Sequence, residues 1–503
     1  MITFNITNFV FYFLNAMLEY LKKKGKIIVA TVVVICFGFF FLINKGVEKK
    51  PLCKNCNVIL VSIDTLSALH LPCYGYERDT APNLCAFAKK NILFTNSYSQ
   101  SPTTLNSHFS IMTSLYPHTH KMTDIFAKTS LEEKYVTLAQ LFRMNSYTTI
   151  YHAIINDSHL PLNRGFERGF DVIEPGSDIN TWKNAYPKLL KNAEEKKPTF
   201  LFLHTYATHT PYLMGHENIH PFTEQKEYPN IPLTENEYYE LSDSFFKYVA
   251  DSIIKSPKII GEDSAAKADE KNVLIAQKLK NAKSFSDGLE IFNSLPDFLK
   301  SAYFYGRYIV RINKSDPDQI KYFKALYDEQ IYNMDKQLKN LLDLIEDPRL
   351  SKNTILIITS DHGEEFMEHG AITHGTNLYK TATQVPLIMS IPGLGPKKVT
   401  NLVQGIDIYP TLADLVGINL KSFLQGIDLV PLIEGKPGAA ENRYLVSEIQ
   451  NLVSIQNFKY KLYYNKENKG VELYNIILDS GEKRDISSAN KEVSSNLLSK
   501  LKQ

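Results

Sequence analysis

Ser360-Asp361-His362-Gly363-Glu364 follows a β-branched run, and His374-Gly375 comes thirteen residues after Asp361. A carboxylate and an imidazole side by side at a strand end offer two ligands to one cation. Asp64 closes another such run, Asn57 to Ile63, and adds a second carboxylate. A third group is Ser101 to Pro117, SPTTLNSHFSIMTSLYP, where Pro102 and Asn106 bracket a turn and Ser107 to Leu115 has a helical pattern. Thr104 is therefore expected just before a helix N-terminus, where backbone N–H groups and the dipole favour an oxyanion. A hydroxyl there that also meets a metal can ionise near neutral pH and act as a nucleophile. The plainer alternatives stay open: Thr and Ser are common N-caps, and an Asp-His pair can be a capping Asp beside a core His.

Strands must bring these residues together. Asn57 to Ile63 (NVILVSI), Thr148 to Ile155, Thr199 to Leu203 and Thr354 to Thr359 all read as buried parallel strands. Helical patterns over Thr137 to Asn145 and Tyr327 to Glu346 lie between them. Strands alternating with helices predict an α/β fold, a mostly parallel sheet flanked by helices. Ligand sites in such sheets lie beyond the carboxyl ends of strands. Asp64, His204 and Asp361 each fall at or just past such an end, so they are expected in one crevice. Residues 213–325 break the rhythm with a charged, mostly helical pattern, read as an insertion or lid, or equally as a solvated helical decoration. After Val430 come short strands and turns, Asn457 to Tyr464 and Gly470 to Ile477, which predict a small antiparallel C-terminal subdomain. The expected division is a catalytic region over 57–430 and a subdomain over 431–503.

Composition narrows the class. The 503 residues are 44% hydrophobic and 22% charged, which excludes disorder, collagen and coiled coil. With 56 Lys+Arg against 54 Asp+Glu, the charge balance gives no reason to expect nucleic acid as a partner. Ile27 to Ile43 is an uncharged apolar run, about 26 Å long as a helix and near the lower limit for a membrane span. Lys22, Lys23, Lys24 and Lys26 precede it, and no small-x-small cleavage pattern follows. The expectation is an uncleaved single-pass signal anchor over 27–43, with the catalytic part on the extracytoplasmic side. Residues 1–26 are expected to be cytoplasmic or interfacial, with the apolar stretch Ile2 to Tyr20 open as an interfacial amphipathic helix or a second, poorer span. Cys53, Cys56, Cys73 and Cys85 lie beyond the anchor, too few for a disulfide scaffold. Cys53-x-x-Cys56 has no second CxxC, so a local disulfide or two free thiols is preferred to a zinc or redox pair.

Longer stretches carry a resemblance. NVILVSIDTL, CYGYERDTAPNLCAFAKKNILFTNSYSQSPTTLNSHFSIMTSLYPHTH, RGFERGFDVI, FLFLHTYATHTPY, TSDHGEEFMEHGAITHGTNLYKTATQVPLIM, IDIYPTLADLVGI and ELYNIILDSGEKRDIS occur in order from Asn57 to Asp485. In that order they resemble the sulfatase family of the alkaline phosphatase superfamily. The resemblance implies an alkaline phosphatase-like fold and a metal held by Asp64, Thr104, Asp361 and His362, with Thr104 as nucleophile. It also implies that His209 and His374 bind the anionic group in transfer and that His204 is an outer or substrate residue.

The departures are chemical. Thr104 stands where sulfatases carry the Cys or Ser that matures to formylglycine, with Asn106 and His108 at the Pro and Arg positions of that motif. The family's Asp-Asp pair reads Asp64-Thr65, and the Asn after the late Asp is His362. Ile154 and Asn156 fall where a Lys and a His of another family segment would stand. An imidazole with fewer carboxylates favours zinc or manganese over calcium as the divalent metal ion. Thr with Asp-His and a downstream His-Gly also resembles the phosphoethanolamine and phosphoglycerol transferases and the nucleotide pyrophosphatase-type phosphodiesterases. The expected protein is a membrane-anchored, metal-dependent hydrolase of phosphate or sulfate esters, working through a covalent Thr ester. Its substrate would be a small-molecule, lipid head-group or glycan ester. The alternatives are a transferase to a lipid or glycan acceptor and an inactive binding scaffold.

Overall fold

The computed structural model describes residues 50–501, apart from 124–128, 154–159, 177–178, 211, 213–220, 224–249, 251–273, 283–290, 292–311, 437–439 and 441. The expected anchor at 27–43, the segment 1–26, Ile154, Asn156 and most of the 213–325 segment lie outside the described residues. Among the described residues no helix is long and apolar enough to cross a membrane. All but Lys50 and Pro51 of the described residues belong to a compact unit, Leu52–Gln503.

The centre is an eight-stranded sheet. Its strands are β1 (Asn57–Ile63), β2 (Ile92–Tyr98), β3 (Thr148–Ala153), β4 (Val172–Pro175), β5 (Thr199–Thr205), β6 (Thr354–Thr359), β9 (Leu387–Ser390) and β10 (Lys397–Gln404). Their order is β10-β2-β9-β6-β1-β5-β3-β4. Every pairing is parallel except those of β9, which runs antiparallel to β2 and β6. A two-residue hairpin, β7 (Glu365–Phe366) with β8 (Ile372–Thr373), follows β6.

Side chains alternate across each strand, so a strand covered on both faces needs an apolar residue at nearly every position. Val58 and Leu60 of β1 enter one core with Phe200, Phe202, Ile355 and Ile357. Ile59, Val61 and Ile63 enter the opposite core with Leu201, Leu203, Leu356 and Ile358. Burying one such side chain contributes about 1.5–3 kcal/mol. The cost is that polar groups are admitted only at the strand ends, which is where the site lies.

Four helices frame the sheet. α1 (Pro82–Lys90) is stitched to α3 (Pro317–Leu344), because Asp335 of α3 accepts from the backbone N–H of Asn83 and Leu84 at 2.9 and 2.7 Å. α2 (Thr104–Thr113) and α4 (Ile408–Val416) both contribute to the core that holds Val58 and Leu60. α3 starts ten residues before the pattern predicted, with Asp316 as N-cap and Pro317 in its first turn. Residues 317–325, expected in the insertion, are therefore part of a helix packed on the sheet.

The C-terminal end is a second sheet, β11 (Leu445–Ile449), β12 (Leu452–Gln456), β13 (Tyr460–Asn465) and β14 (Val471–Asn475), antiparallel throughout. α5 (Lys491–Lys500) covers it by placing Leu497 among Ile455, Leu462 and Leu473. Cysteine pairing is Cys53–Cys56 and Cys73–Cys85.

Candidate active site

β1 and β6 end side by side, so the residues after them meet. Asp64 follows β1, and its backbone N–H donates to Thr205 O of β5 at 2.9 Å. Thr65 then turns the chain with a positive φ of 57°, and its N–H donates to Asp361 Oδ1 at 3.3 Å. Tyr327 of α3 donates its hydroxyl proton to Thr65 O at 2.6 Å and accepts from Ser67 N at 2.9 Å. The loop that carries Asp64 is thus held by β5, β6 and α3 together.

Asp361 and His362 are fully buried after β6. Asp361 Oδ1 accepts from the N–H of His362 at 2.9 Å, whereas Oδ2 accepts no hydrogen bond from the described residues. His362 donates from Nδ1 to Gly363 O at 3.0 Å, which turns Nε2 into the crevice. There Nε2 lies 3.5 Å from Asp361 Oδ2, 3.9 Å from Asp64 Oδ1 and 3.4 Å from Thr104 Oγ1. Thr104 Oγ1 also donates to Asp64 Oδ2 at 3.2 Å.

Thr104 corrects the sequence reading. It was expected before a helix that began at Ser107, but it is the first residue of α2, and Thr103 is the N-cap. The bond from Ser107 N to Thr103 O at 3.1 Å closes the first helical turn. Asn106 is therefore inside the helix. All ten residues of α2 are buried, so no polar face marked its start. The consequence favours chemistry, because the hydroxyl now sits on the first turn itself, where unpaired N–H groups gather.

The donor set fits a divalent cation. One ligand atom each from Asp64, Asp361 and His362 can be chosen so that all lie within 4.8 Å of one another. Two carboxylates buried beside each other are costly without a positive partner, and Asp361 Oδ2, 3.5 Å from both His108 Nδ1 and His362 Nε2, can still serve as a ligand. Burial works against the Asp361 carboxylate, yet the imidazoles of His362, His108 and His204 hold it down to about 2. Burial lowers the His362 pKa, the direction that favours the neutral ring a metal binds.

The other expected residues divide. The His374 ring lies 4.4 Å from His362 and 5.0 Å from His209, centroid to centroid, so both histidines join the crevice. His204 sits behind it. Its Nδ1 donates to Ser62 O at 3.1 Å, and its Nε2 lies 3.7 Å from Asp64 Oδ2, backing the carboxylate.

Sequence reasoning missed four residues. His108 donates from Nδ1 to Thr104 O at 2.9 Å, and its Nε2 pairs with Ser62 Oγ at 2.9 Å. The spacing of four from Thr104 on a helix was the available signal. Glu364, Tyr212 and Tyr327 reach the site through long-range bonds that no local pattern announces. Glu364 accepts from His374 Nδ1 at 3.0 Å and from the Tyr212 hydroxyl at 2.7 Å. Burial raises its carboxyl pKa to about 7, partly offset by the Tyr212 bond.

Comparison with known proteins gives the family. The profile described as Sulfatase matches residues 56–418, and one described as N-sulphoglucosamine sulphohydrolase, C-terminal, matches 368–503. The chain belongs to the sulfatase family, a family of metal-dependent hydrolases of sulfate esters. It is similar to a Delta 4,5-hexuronate-2-O-sulfatase of Bacteroides thetaiotaomicron, 22% identical over 458 residues, 87% of this chain and 85% of that protein. The match to Arylsulfatase K of Homo sapiens is more local, 36% identical over 115 residues, 23% of this chain and 21% of that protein. Two solved structures share the fold. One is BT4656 in complex with its substrate D-glucosamine-2-N,6-O-disulfate, with a TM-score of 0.63 at 17% identity, covering 89% of this chain and 97% of that one. The other is a phosphonate monoester hydrolase of Agrobacterium radiobacter, with a TM-score of 0.61 at 17% identity, covering 89% and 94%.

Proposed function

We propose that the chain cleaves a sulfate or phosphate ester by transferring the sulfuryl or phosphoryl group to Thr104 and then to water. The observation that carries this reading is the Thr104 hydroxyl, on the first turn of α2, within 3.2 Å of Asp64 Oδ2 and 3.4 Å of His362 Nε2. Asp64, Asp361 and His362, with Thr104 beside them, would hold a divalent cation, which would supply positive charge that favours the Thr104 alkoxide and stabilises the charge of the group in transfer. Zinc or manganese suits the imidazole better than calcium does.

The chain's own groups do the rest. Thr104 gives its proton toward Asp64 Oδ2, and its Oγ forms a bond to sulfur or phosphorus as the bond to the ester oxygen breaks. The alcohol leaves with the proton that Asp64 received. The first-turn N–H groups of α2, with His209 and His374, hold the non-bridging oxygens. Water then attacks the same sulfur or phosphorus, the bond to Thr104 Oγ breaks, and the hydroxyl regains its proton. Thr104 has no aldehyde hydrate to expel the anion, so this second displacement is required. That requirement is the argument for phosphate as a substrate beside the sulfate that the relatives suggest.

The activities named for the similar proteins point to a sulfated sugar as the alcohol part. The paired cysteines Cys53–Cys56 and Cys73–Cys85 support an oxidising compartment, consistent with an anchor over 27–43 and an extracytoplasmic catalytic unit. The test is the full chain in detergent, with its metal content measured and aryl sulfate, phosphate monoester and phosphodiester substrates assayed side by side. Turnover that depends on zinc or manganese and vanishes in Thr104→Ala supports the reading. Calcium-dependent sulfate turnover that survives Thr104→Ala refutes it.

A further inference from the structure

Tyr212 connects α3 to one carboxyl group beside the site. It donates its hydroxyl proton to Glu364 Oε2 at 2.7 Å. Its ring packs on Phe323 and Tyr327 of α3 at centroid distances of 4.8 and 5.4 Å. The other oxygen of Glu364, Oε1, accepts from His374 Nδ1 at 3.0 Å. Tyr212 is 0% exposed and Glu364 1%.

Burying a carboxyl group beside an imidazole and a phenol is an expensive way to fill space. Apolar side chains of the same volume are often neutral or stabilising at such positions. The arrangement does have a geometric effect. A histidine χ2 angle has broad, roughly two-fold wells, so the ring alone does not fix where its nitrogens point. A hydrogen bond from Nδ1 to a carboxylate selects one orientation and leaves Nε2 as the nitrogen that can reach a ligand.

We propose that Glu364 and Tyr212 are positioning residues, and that the Tyr212–Glu364–His374 chain of hydrogen bonds holds His374 Nε2 toward the anionic group carried to Thr104. The inference rests on the reading of His374 as a ligand of that group. It also gives α3 a role at the site, since Phe323 and Tyr327 brace Tyr212.

A double-mutant cycle tests it on the full chain, with the ester it turns over as substrate and inorganic sulfate and phosphate as competitive inhibitors. Glu364→Ala is expected to lower kcat/KM about 10- to 100-fold and to weaken inhibition by the product anion about as much as His374→Ala does. Adding Glu364→Ala to His374→Ala should cost less than about twofold more, because the residue acts only through the ring. Glu364→Gln keeps an oxygen for Nδ1–H and is expected to stay within about fivefold of wild type. Tyr212→Phe keeps the packing and should lose about two- to tenfold, again only when His374 is present. Should Glu364→Ala fail to fold, Tyr212→Phe and Glu364→Gln complete the cycle with His374→Ala. Losses that multiply in the double variants overturn the positioning role and leave the Thr104 reading standing. Full activity in His374→Ala, with Thr104→Ala dead, overturns the positioning role through its premise.

Discussion

His120 ties acid stability to the helix that carries Thr104. Its ring is 1% exposed, its Nε2 donates to Ser110 Oγ of α2 at 3.0 Å, and its Nδ1 accepts from Met122 N at 3.0 Å. Burial lowers its pKa from 6.5 to about 3, and protonation of Nδ1 would break the bond from Met122. The unfolded chain takes up this proton near pH 6.5 while the folded chain does not. Between about pH 6.5 and 3 the unfolded state binds more protons, so stability falls as the pH falls through that window. From pH 7.5 to 5.0 this group alone should cost about 2 kcal/mol. The assay is urea unfolding at both pH values, followed by fluorescence of Trp182, the single tryptophan of the chain and 0% exposed. His120→Asn keeps an acceptor for Met122 N but does not titrate. Its overall stability should fall by about 1–3 kcal/mol through the lost Ser110 bond. Its loss between pH 7.5 and 5.0 should be about 2 kcal/mol smaller than that of wild type. Equal losses in the two proteins would refute the argument that His120 is held neutral.

Asp361→Asn removes the charge of a carboxylate whose Oδ2 accepts no hydrogen bond from the described residues, so bound divalent metal should fall at least about tenfold while the circular dichroism is kept. Elemental analysis of the purified variant checks it. Thiol titration of the denatured, unreduced chain should find one reactive cysteine of five, Cys36, because the other four are paired. Removing the Cys73–Cys85 pair, which closes a loop of 12 residues, should lower stability by about 3 kcal/mol in the same urea assay. Gly169 has a φ of +96°, and a Cβ there would lie 2.1 Å from Gln140 N. Gly169→Ala should therefore cost about 3 kcal/mol or more, read as a lowered urea midpoint or loss of soluble protein.

The parts of the fold legible in the sequence are those buried on both faces. β1, β5 and β6 are unbroken apolar runs for that reason, and their ends gave Asp64, His204 and Asp361. β10 was not legible because it lies at a sheet edge and carries Lys397, Lys398 and Thr400 on a bulged strand. β9 was hidden by its length of four residues, and nothing in LIMS marks it as the one antiparallel member. The start of α2 was misplaced because a helix buried all round has no polar stripe, and Asn106 read as a turn. Within the site, the residues found were those adjacent in sequence to a strand end. Glu364 was adjacent too, but its meaning depends on Tyr212, 152 residues away, and no period in the sequence encodes that pairing.

The central claim is a covalent ester on Thr104. The direct measurement mixes full-chain enzyme with its ester substrate, quenches within one turnover and maps the modified peptide by mass spectrometry. The account predicts one sulfuryl or phosphoryl group on the peptide Ser101 to Pro117, localised to Thr104 and absent from Thr104→Ala. Turnover with the group on another residue, or undiminished turnover in Thr104→Ala, would contradict it.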